Sequence, residues 1–277
     1  MAAKTGWCWD KVMRVLNEPP SLADFFRRLR TAPARALLLD YDGTLAPFHV
    51  RPAEAQPYAG VRELLDALIE DGGTRVVIVS GRWTRDLVPL LGLKRLPEIW
   101  GSHGWEQLKP DGAYAVGRMN ESALRQLVEA DTWTGEIEAL GGRCEMKPAS
   151  LAIHWRGLDA QRIAGIRELV YQNWRLQEME KNLVWHDFDG GIELRLPGRS
   201  KGYAVDAVLA EMPAETAAAY LGDDMTDEDA FEAIRGRGIG VLVRPEFRAS
   251  HAGFWLKPPG ELLDFLRQWR AAAGATR

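Results

Sequence analysis

Asp40 and Asp42 stand one residue apart at the end of the apolar run "RALLLD", and Gly43 and Thr44 follow at once. Burying a carboxylate is costly unless a cation or hydrogen-bond donor meets it, so this pair marks a place where charge is put to use. Three other stretches carry polar groups at comparable positions: Ser80-Gly81-Arg82 after "TRVVIV", Lys201 in "SKG", and Asp223-Asp224 after "AAAYLG". An ionised carboxylate is a nucleophile at neutral pH without activation, and a second one close by can serve as acid and base. Asp40, Asp42, Asp223 and Asp224 offer hard oxygen atoms with no His or Cys among them, a donor set suited to Mg²⁺ with water and phosphate. At ~4 Å and an effective dielectric of ~20, each close pair of these charges repels by about 4 kcal/mol, so a cation has to join them. Lys201 supplies one at the start of a helix that Ser200 can cap, where a positive charge is unfavourable unless it meets an anion. Gly43 and Thr44 can aim backbone N–H groups at phosphate oxygens, and Ser80, next to Gly81, adds a hydroxyl. The expectation is a phosphoryl site in which Asp40 attacks, Asp42 handles the proton, and Gly43, Thr44, Ser80, Gly81 and Lys201 hold the phosphate.

Each piece alone has a plainer reading. A strand-end Asp-x-Asp-Gly is often only a turn, Thr226-Asp227-Glu228 resembles a helix cap, and a lone lysine is usually solvated. The chemistry rests on their conjunction at one edge of one sheet, since ligands of open parallel sheets bind beyond the carboxyl ends of the strands.

The elements that would place them there are readable from periodicity. Short continuous apolar runs at 35–40, 74–82, 217–224 and 238–243 predict strands buried on both faces, with a further strand over 96–106. Helical spacing predicts helices over 21–30, 61–73, 82–92, 200–212 and 226–234, the first capped by Ser21. Between about 108 and 196 the texture changes: 143–156 and 182–196 alternate apolar and polar residues, with an Asp-Gly-Gly turn in the second and helices at about 120–140 and 159–180. The expected fold is α/β, a doubly wound parallel sheet over residues 1–107 and 197–277 with an inserted α+β cap over 108–196; only residues 271–277 look frayed.

Composition narrows the partners. The 277 residues carry 35 basic and 39 acidic side chains, a formal charge of -4, which argues against nucleic acid or an anionic membrane and for a small-molecule partner. No run approaches the ~18 apolar residues of a membrane span, and Asp10 and Lys11 interrupt the opening stretch, so a cytoplasmic address is expected; a monomer is the default expectation. Cys8 and Cys144 lack metal-ligand spacing and read as inert packing residues.

"DYDGTL", "SGR", "SKG" and "GDDMTDED" resemble the four motifs of the haloacid dehalogenase superfamily of phosphotransferases. The resemblance implies Asp40 as nucleophile, Asp42 as acid and base with its main-chain carbonyl on Mg²⁺, Asp223 as a metal ligand, Ser80 and Lys201 on the phosphate, and Asp224 and Asp227 in support. It also implies that the cap closes over the site and chooses the substrate. More narrowly, "LLLDYDGTLAPF", "SGRWTRDL", "GSHGWE", "EMKPASLAIHWR" and "GDDMTDED" resemble the trehalose-6-phosphate phosphatase family, and so imply a sugar phosphate as substrate. Period-two alternation places Ser150, His154 and Arg156 on one strand face, and Glu145 and Lys147 likewise share a face. With Arg82, His103, Glu106 and Glu193 these are the candidate sugar ligands, and Trp83 and Trp105 are the tryptophans expected beside the site. Trp155 stands where related sequences usually carry tyrosine, Arg195-Leu196-Pro197 where they carry Arg-Pro, and Ser200 where Asn is common. The same scaffold resembles phosphatases for glucosylglycerol, mannosylglycerate and sucrose phosphates. A phosphosugar mutase and a non-enzymatic phosphoacceptor or sensor module are the remaining alternatives.

Overall fold

The computed structural model describes residues 14–16, 21–176, 182–188 and 190–274, so Cys8 lies outside the described residues. The chain begins with β1 (Arg14–Val15), α1 (Leu22–Thr31), β2 (Arg35–Leu39), α2 (Val61–Asp71), β3 (Arg75–Val79), α3 (Thr84–Leu91) and β4 (Glu98–Gly101). It turns through β5 (Glu106–Leu108) and β6 (Tyr114–Val116) before α4 (Glu121–Ala130), α5 (Thr134–Ala139), β7 (Arg143–Lys147), β8 (Ser150–His154), α6 (Ala160–Leu176), β9 (Val184–Phe188) and β10 (Gly191–Arg195). It ends with α7 (Lys201–Ala210), β11 (Ala217–Gly222), α8 (Glu228–Ile234), β12 (Gly238–Val243), β13 (Phe254–Leu256) and α9 (Gly260–Gly274).

The larger sheet has nine strands in the order β1-β13-β12-β11-β2-β3-β4-β5-β6. From β13 to β4 every pairing is parallel; β1, β5 and β6 pair antiparallel at the edges. The chain moves outward from β2 through β3 and β4, then returns and moves the other way from β11 through β12 and β13. The strand order therefore reverses between β2 and β11, the place where an open α/β sheet leaves a crevice. Both strands are buried throughout, because Leu37 and Leu39 face one layer of helices while Ala36 and Leu38 face the other. The first layer brings Phe25 and Phe26 of α1, Leu65 of α2, Leu87 of α3 and Trp269 of α9; the second brings Val205 and Val208 of α7 and Phe231 and Ile234 of α8. Ser21 caps α1, its Oγ accepting from the Asp24 amide at 3.1 Å.

The cap is a four-stranded antiparallel sheet, β7-β8-β10-β9. One face is apolar: Leu151 and Ile153 of β8 and Ile192 and Leu194 of β10 pack with Leu127 of α4, Ile137 of α5, and Ile166 and Val170 of α6. Period two leaves Glu145, Lys147, Ser150, His154, Glu193 and Arg195 on the opposite face.

Three expectations shift. The large sheet continues through Val116, past residue 107, where the sequence pattern placed the end of its first segment; β5 and β6 are too short to show a period. The alternation over 143–156 is two strands, because Pro148 and Ala149 make the turn and proline has no N–H for a ladder. Residues 271–274 are helical, held by Trp269 and Ala272 in the core.

Candidate active site

The end of β2 and the end of β11 meet at the strand-order reversal, with the Asp40 amide donating to the Leu221 carbonyl at 2.9 Å. Asp40, Asp223 and Asp227 converge there, fully buried, with one oxygen of each within 4.8 Å of the others. Lys201, at the first turn of α7, donates to Asp40 Oδ1 at 2.7 Å and to Asp227 Oδ1 at 2.8 Å. Three carboxylates thus share a single ammonium among the described residues. Asp227 is the best satisfied: Tyr220 Oη donates to Oδ1 at 2.5 Å, and the Asp223 and Asp224 amides donate to Oδ2 at 3.0 and 2.9 Å. Against the cost of burial, Lys201 and these donors hold Asp227 below the usual carboxylate range. The unbalanced charge falls on the other two. Burial, opposed by Lys201, pushes Asp40 up to about 7. Burial, reinforced by Asp40, Asp227 and Asp224, drives Asp223 well above its ordinary value.

The donor set fits a divalent cation. Asp223 Oδ1 is buried without a hydrogen-bond partner, whereas Asp227 has no oxygen to spare. Asp40 and Asp223 are therefore the carboxylates with capacity to bind an ion, and Asp227 orients Lys201 and the turn that follows β11. That turn combines both sequence readings of "TDED": Asp224 Oδ1 accepts from the Met225 amide at 2.7 Å and Asp227 closes a capping box, so the cap residue is Asp224 in place of Thr226.

Asp42 points to Arg82. Arg82 Nε and Nη2 each donate to one Asp42 oxygen at 2.6 Å, a bidentate fork. Arg82 lines the cavity, as expected of a sugar ligand, but both of these donors are turned to the carboxylate. Gly43 and Thr44 behave differently from the expectation. The Gly43 amide donates to Ala46 O at 2.7 Å, and Thr44 Oγ1 donates to Asp40 Oδ2 at 3.0 Å, so both shape the loop around Asp40 and neither lines the cavity. Ser80 and Gly81 do line it. A Cβ on Gly81 would lie 2.4 Å from His103 Nε2, so glycine is what lets the imidazole approach this loop.

His103 follows Ser102 in a turn where both residues are left-handed, with φ of 54° and 47°, a conformation costing on the order of 1–3 kcal/mol per residue. Glu106 holds the turn. It accepts from Ser102 Oγ at 2.5 Å, Thr84 Oγ1 at 2.9 Å and Tyr114 Oη at 2.7 Å, and is fully buried outside the cavity. Glu106 therefore anchors the turn and lies outside the cavity in which a sugar ligand was expected; its place in "HGWE" gave no sign that three hydroxyls would occupy it.

The cap face over the carboxylates is polar and internally paired. Glu193 accepts from Lys147 at 3.0 Å, Ser150 Oγ at 2.6 Å, Arg195 Nε at 2.6 Å and His103 Nε2 at 3.1 Å. Burial opposes ionisation, but Arg195, Lys147 and His103 outweigh it and keep Glu193 well below the usual range. Burial, with Arg195 adding to it, takes His103 down to about 3, a neutral imidazole. Glu145 pairs with His154 at 3.1 Å, and that bond with nearby Lys147 overcomes burial to bring it to about 2. Arg156, just beyond β8, lies over the Phe48 ring at 4.6 Å. The cavity between core and cap has a volume of about 320 Å³. Its lining includes His103, Glu145, Lys147, His154, Arg156 and Glu193 but neither Ser150 nor the tryptophans Trp83 and Trp105. Trp105 is packed in the cap core. Lining residues absent from the sequence-based set include Phe48, His49, Arg143, Phe188 and Arg195. Arg143 and Arg195 were within reach, since each lies two residues from a chosen glutamate and so shares its strand face. Phe48 and His49 sit in a loop with no period to reveal them.

An open α/β core with an inserted cap is a fold that the chain shares with haloacid-dehalogenase-like proteins of known structure. Within that class the chain belongs to the trehalose-phosphatase family, whose model matches residues 38–254. It is 31% identical over 252 residues to a trehalose-phosphate phosphatase of Mycobacterium ulcerans, covering 85% of this chain and 61% of that one. It is 30% identical over 286 residues to a Mycobacterium tuberculosis protein described as an uncharacterized glycosyl hydrolase, covering 97% of this chain and 21% of that one. The chain thus spans about three fifths and about one fifth of these two relatives. Among solved structures, the C-terminal domain of C. albicans trehalose-6-phosphate phosphatase superposes with a TM-score of 0.73 at 21% identity, covering 93% of this chain and 99% of that one. No helix among the described residues is long and apolar enough to cross a membrane.

Proposed function

We propose that this chain is a Mg²⁺-dependent phosphatase that hydrolyses trehalose 6-phosphate to trehalose and inorganic phosphate. The observation that carries this reading is the buried trio Asp40, Asp223 and Asp227 around Lys201, with an unpartnered oxygen on Asp223, beneath a cavity roofed by polar cap residues. Asp40 and Asp223 would hold the ion, with the Asp42 main-chain carbonyl as a further ligand. Bound there, Mg²⁺ neutralises the excess carboxylate charge and draws electron density from the phosphoryl oxygens.

Asp40 attacks phosphorus, forming an aspartyl phosphate as the bond to the sugar oxygen breaks. Asp42 leaves the Arg82 fork with at least one oxygen, takes up a proton from solvent there, and passes it to the departing sugar oxygen. It then takes a proton from the water that attacks the same phosphorus, and cleavage of the acyl phosphate restores Asp40. Lys201 and Ser80 hold the phosphoryl oxygens, and Thr44 keeps Asp40 aligned. Trehalose 6-phosphate is favoured by the family and by the paired acids and bases where cap meets core: neutral His103 from the core, and His154, ionised Glu145 and the Lys147 side chain from the cap, offer donors and acceptors for sugar hydroxyls.

The test is steady-state phosphate release, with and without Mg²⁺, across trehalose, sucrose, glucosylglycerol and mannosylglycerate phosphates. Many turnovers per chain with the highest kcat/KM on trehalose 6-phosphate support the reading. A flat profile removes the substrate assignment, and one phosphate per chain removes the enzyme.

A further inference from the structure

Two arginines that do not line the cavity hold the main chain from which Asp223 projects. Arg248 Nε donates to Asp223 O at 3.1 Å and its Nη2 to Asp224 O at 2.7 Å, while Arg244 Nη1 reaches Asp223 O at 3.2 Å. The third nitrogen of Arg248 donates to Ala249 O at 2.9 Å and forms an ion pair with Glu228, the first residue of α8. Glu228 is itself fixed by Ser250 Oγ at 2.9 Å and the His251 amide at 2.7 Å. The loop after β12 is thereby stapled to the loop after β11.

This arrangement matters because the Asp223 carboxylate is poorly restrained by its own contacts. Its Oδ1 has no partner, so its direction is inherited from the backbone. That backbone is gripped at both ends: the Asp223 amide donates to Asp227, and the Asp223 carbonyl accepts from the two arginines. A planar guanidinium spans two successive carbonyls and a carboxylate at fixed angles, which an ammonium cannot do.

We infer that Arg248, assisted by Arg244, is a positioning residue for the divalent cation: it fixes the Asp223–Asp224 peptide and so sets how tightly the ion binds. The inference rests on the metal reading given above. Groups that orient a metal ligand without touching the metal are worth roughly 10–100-fold in affinity, and Arg248 should fall in that range.

The experiment is calorimetric titration of Mg²⁺ into the substrate-free chain, stripped of metal, for the unsubstituted protein and the variants Arg248→Lys, Arg248→Gln and Arg244→Gln. Thermal unfolding in EDTA is measured alongside. Loss of roughly 10–100-fold in Mg²⁺ affinity for both Arg248 variants, and a smaller loss for Arg244→Gln, supports the inference. Arg248→Lys keeps the charge but not the fork, so wild-type affinity in that variant overturns it. A lowered melting temperature in EDTA with unchanged Mg²⁺ affinity likewise reduces Arg248 to a structural tie. If Arg248→Gln does not fold, Arg248→Lys and Arg244→Gln still decide. Failure of the unsubstituted chain to bind Mg²⁺ overturns the metal reading and this inference together, whereas binding that none of the variants disturbs overturns the inference alone.

Discussion

Replacing Gly43 with alanine tests the geometry of the carboxylate site more sharply than removing a carboxylate. Gly43 has φ +85°, and a Cβ built there falls 2.1 Å from Asp223 Oδ2, 2.3 Å from its Cγ and 2.8 Å from Oδ1. Ordinary contact begins at 3.4 Å, so the loop or the carboxylate must retreat by about 1.3 Å. The left-handed backbone adds about 1–2 kcal/mol of strain for any residue with a Cβ. A misplacement of ~1 Å at a reacting centre costs about 10²-fold in rate, or about 2.7 kcal/mol of transition-state stabilisation. Gly43→Ala is therefore expected to lower kcat/KM for phosphate release by at least about 10²-fold, and to weaken Mg²⁺ binding in calorimetry. Gly60→Ala is the control. Its φ is +91°, but its Cβ meets nothing nearer than a Leu263 methyl at 3.4 Å, so it carries the strain without the collision. A stability loss in urea unfolding for both variants, larger for Gly43→Ala, with activity lost only in Gly43→Ala, is the expected pattern. If Gly43→Ala keeps activity within about threefold of the parent, where about 10²-fold is called for, Asp223 is not where the chemistry needs it.

Asp40→Asn removes the proposed nucleophile and should abolish phosphate turnover while the chain still folds; retained turnover places the attack elsewhere. Asp40, raised to about 7, and Asp223, raised well above its ordinary value, keep protons in the fold that the unfolded chain releases near pH 4. Their contribution to stability is thus complete below about pH 4, and the Asp40 share is lost as pH rises through about 7. A cation replaces those protons, so the rise in melting temperature on adding Mg²⁺ should be larger at alkaline than at mildly acidic pH; an equal rise at both refutes the charge argument. Glu106→Leu leaves the hydroxyls of Ser102, Thr84 and Tyr114 without their acceptor and should destabilise the fold by about 3 kcal/mol in urea unfolding, with little change in KM. A raised KM at unchanged stability would make Glu106 a sugar ligand after all.

The parallel core and its carboxylates were legible because each signal is local. Continuous apolar runs announce β2, β3, β11 and β12, and polar residues at their ends have nowhere to go but the strand-order reversal. The two-residue period likewise put Ser150 and His154 on one face of β8, the face they share in the structure. What escaped depended on contacts between distant segments. Nothing near Arg82 says that its guanidinium closes on Asp42, forty residues away, and nothing near Glu106 says that three hydroxyls converge on it. The Arg248 staple joins loops after two different strands, so no pattern within either loop encodes it. β5, β6 and β13, at three residues each, are shorter than the window in which a period can be seen.

The bond between His103 and Glu193 joins the core to the roof of the cleft and bears on how a bulky sugar gets in. Pulling the two halves apart there would strip a buried carboxylate of one of its four donors and release an imidazole held on a strained turn. Arg156, just beyond β8, and Phe48, in the loop after β2, meet as a cation and a ring and make a second link between roof and core. A roof that lifts to admit a sugar therefore has to give up the histidine–carboxylate bond, and regains it on closing.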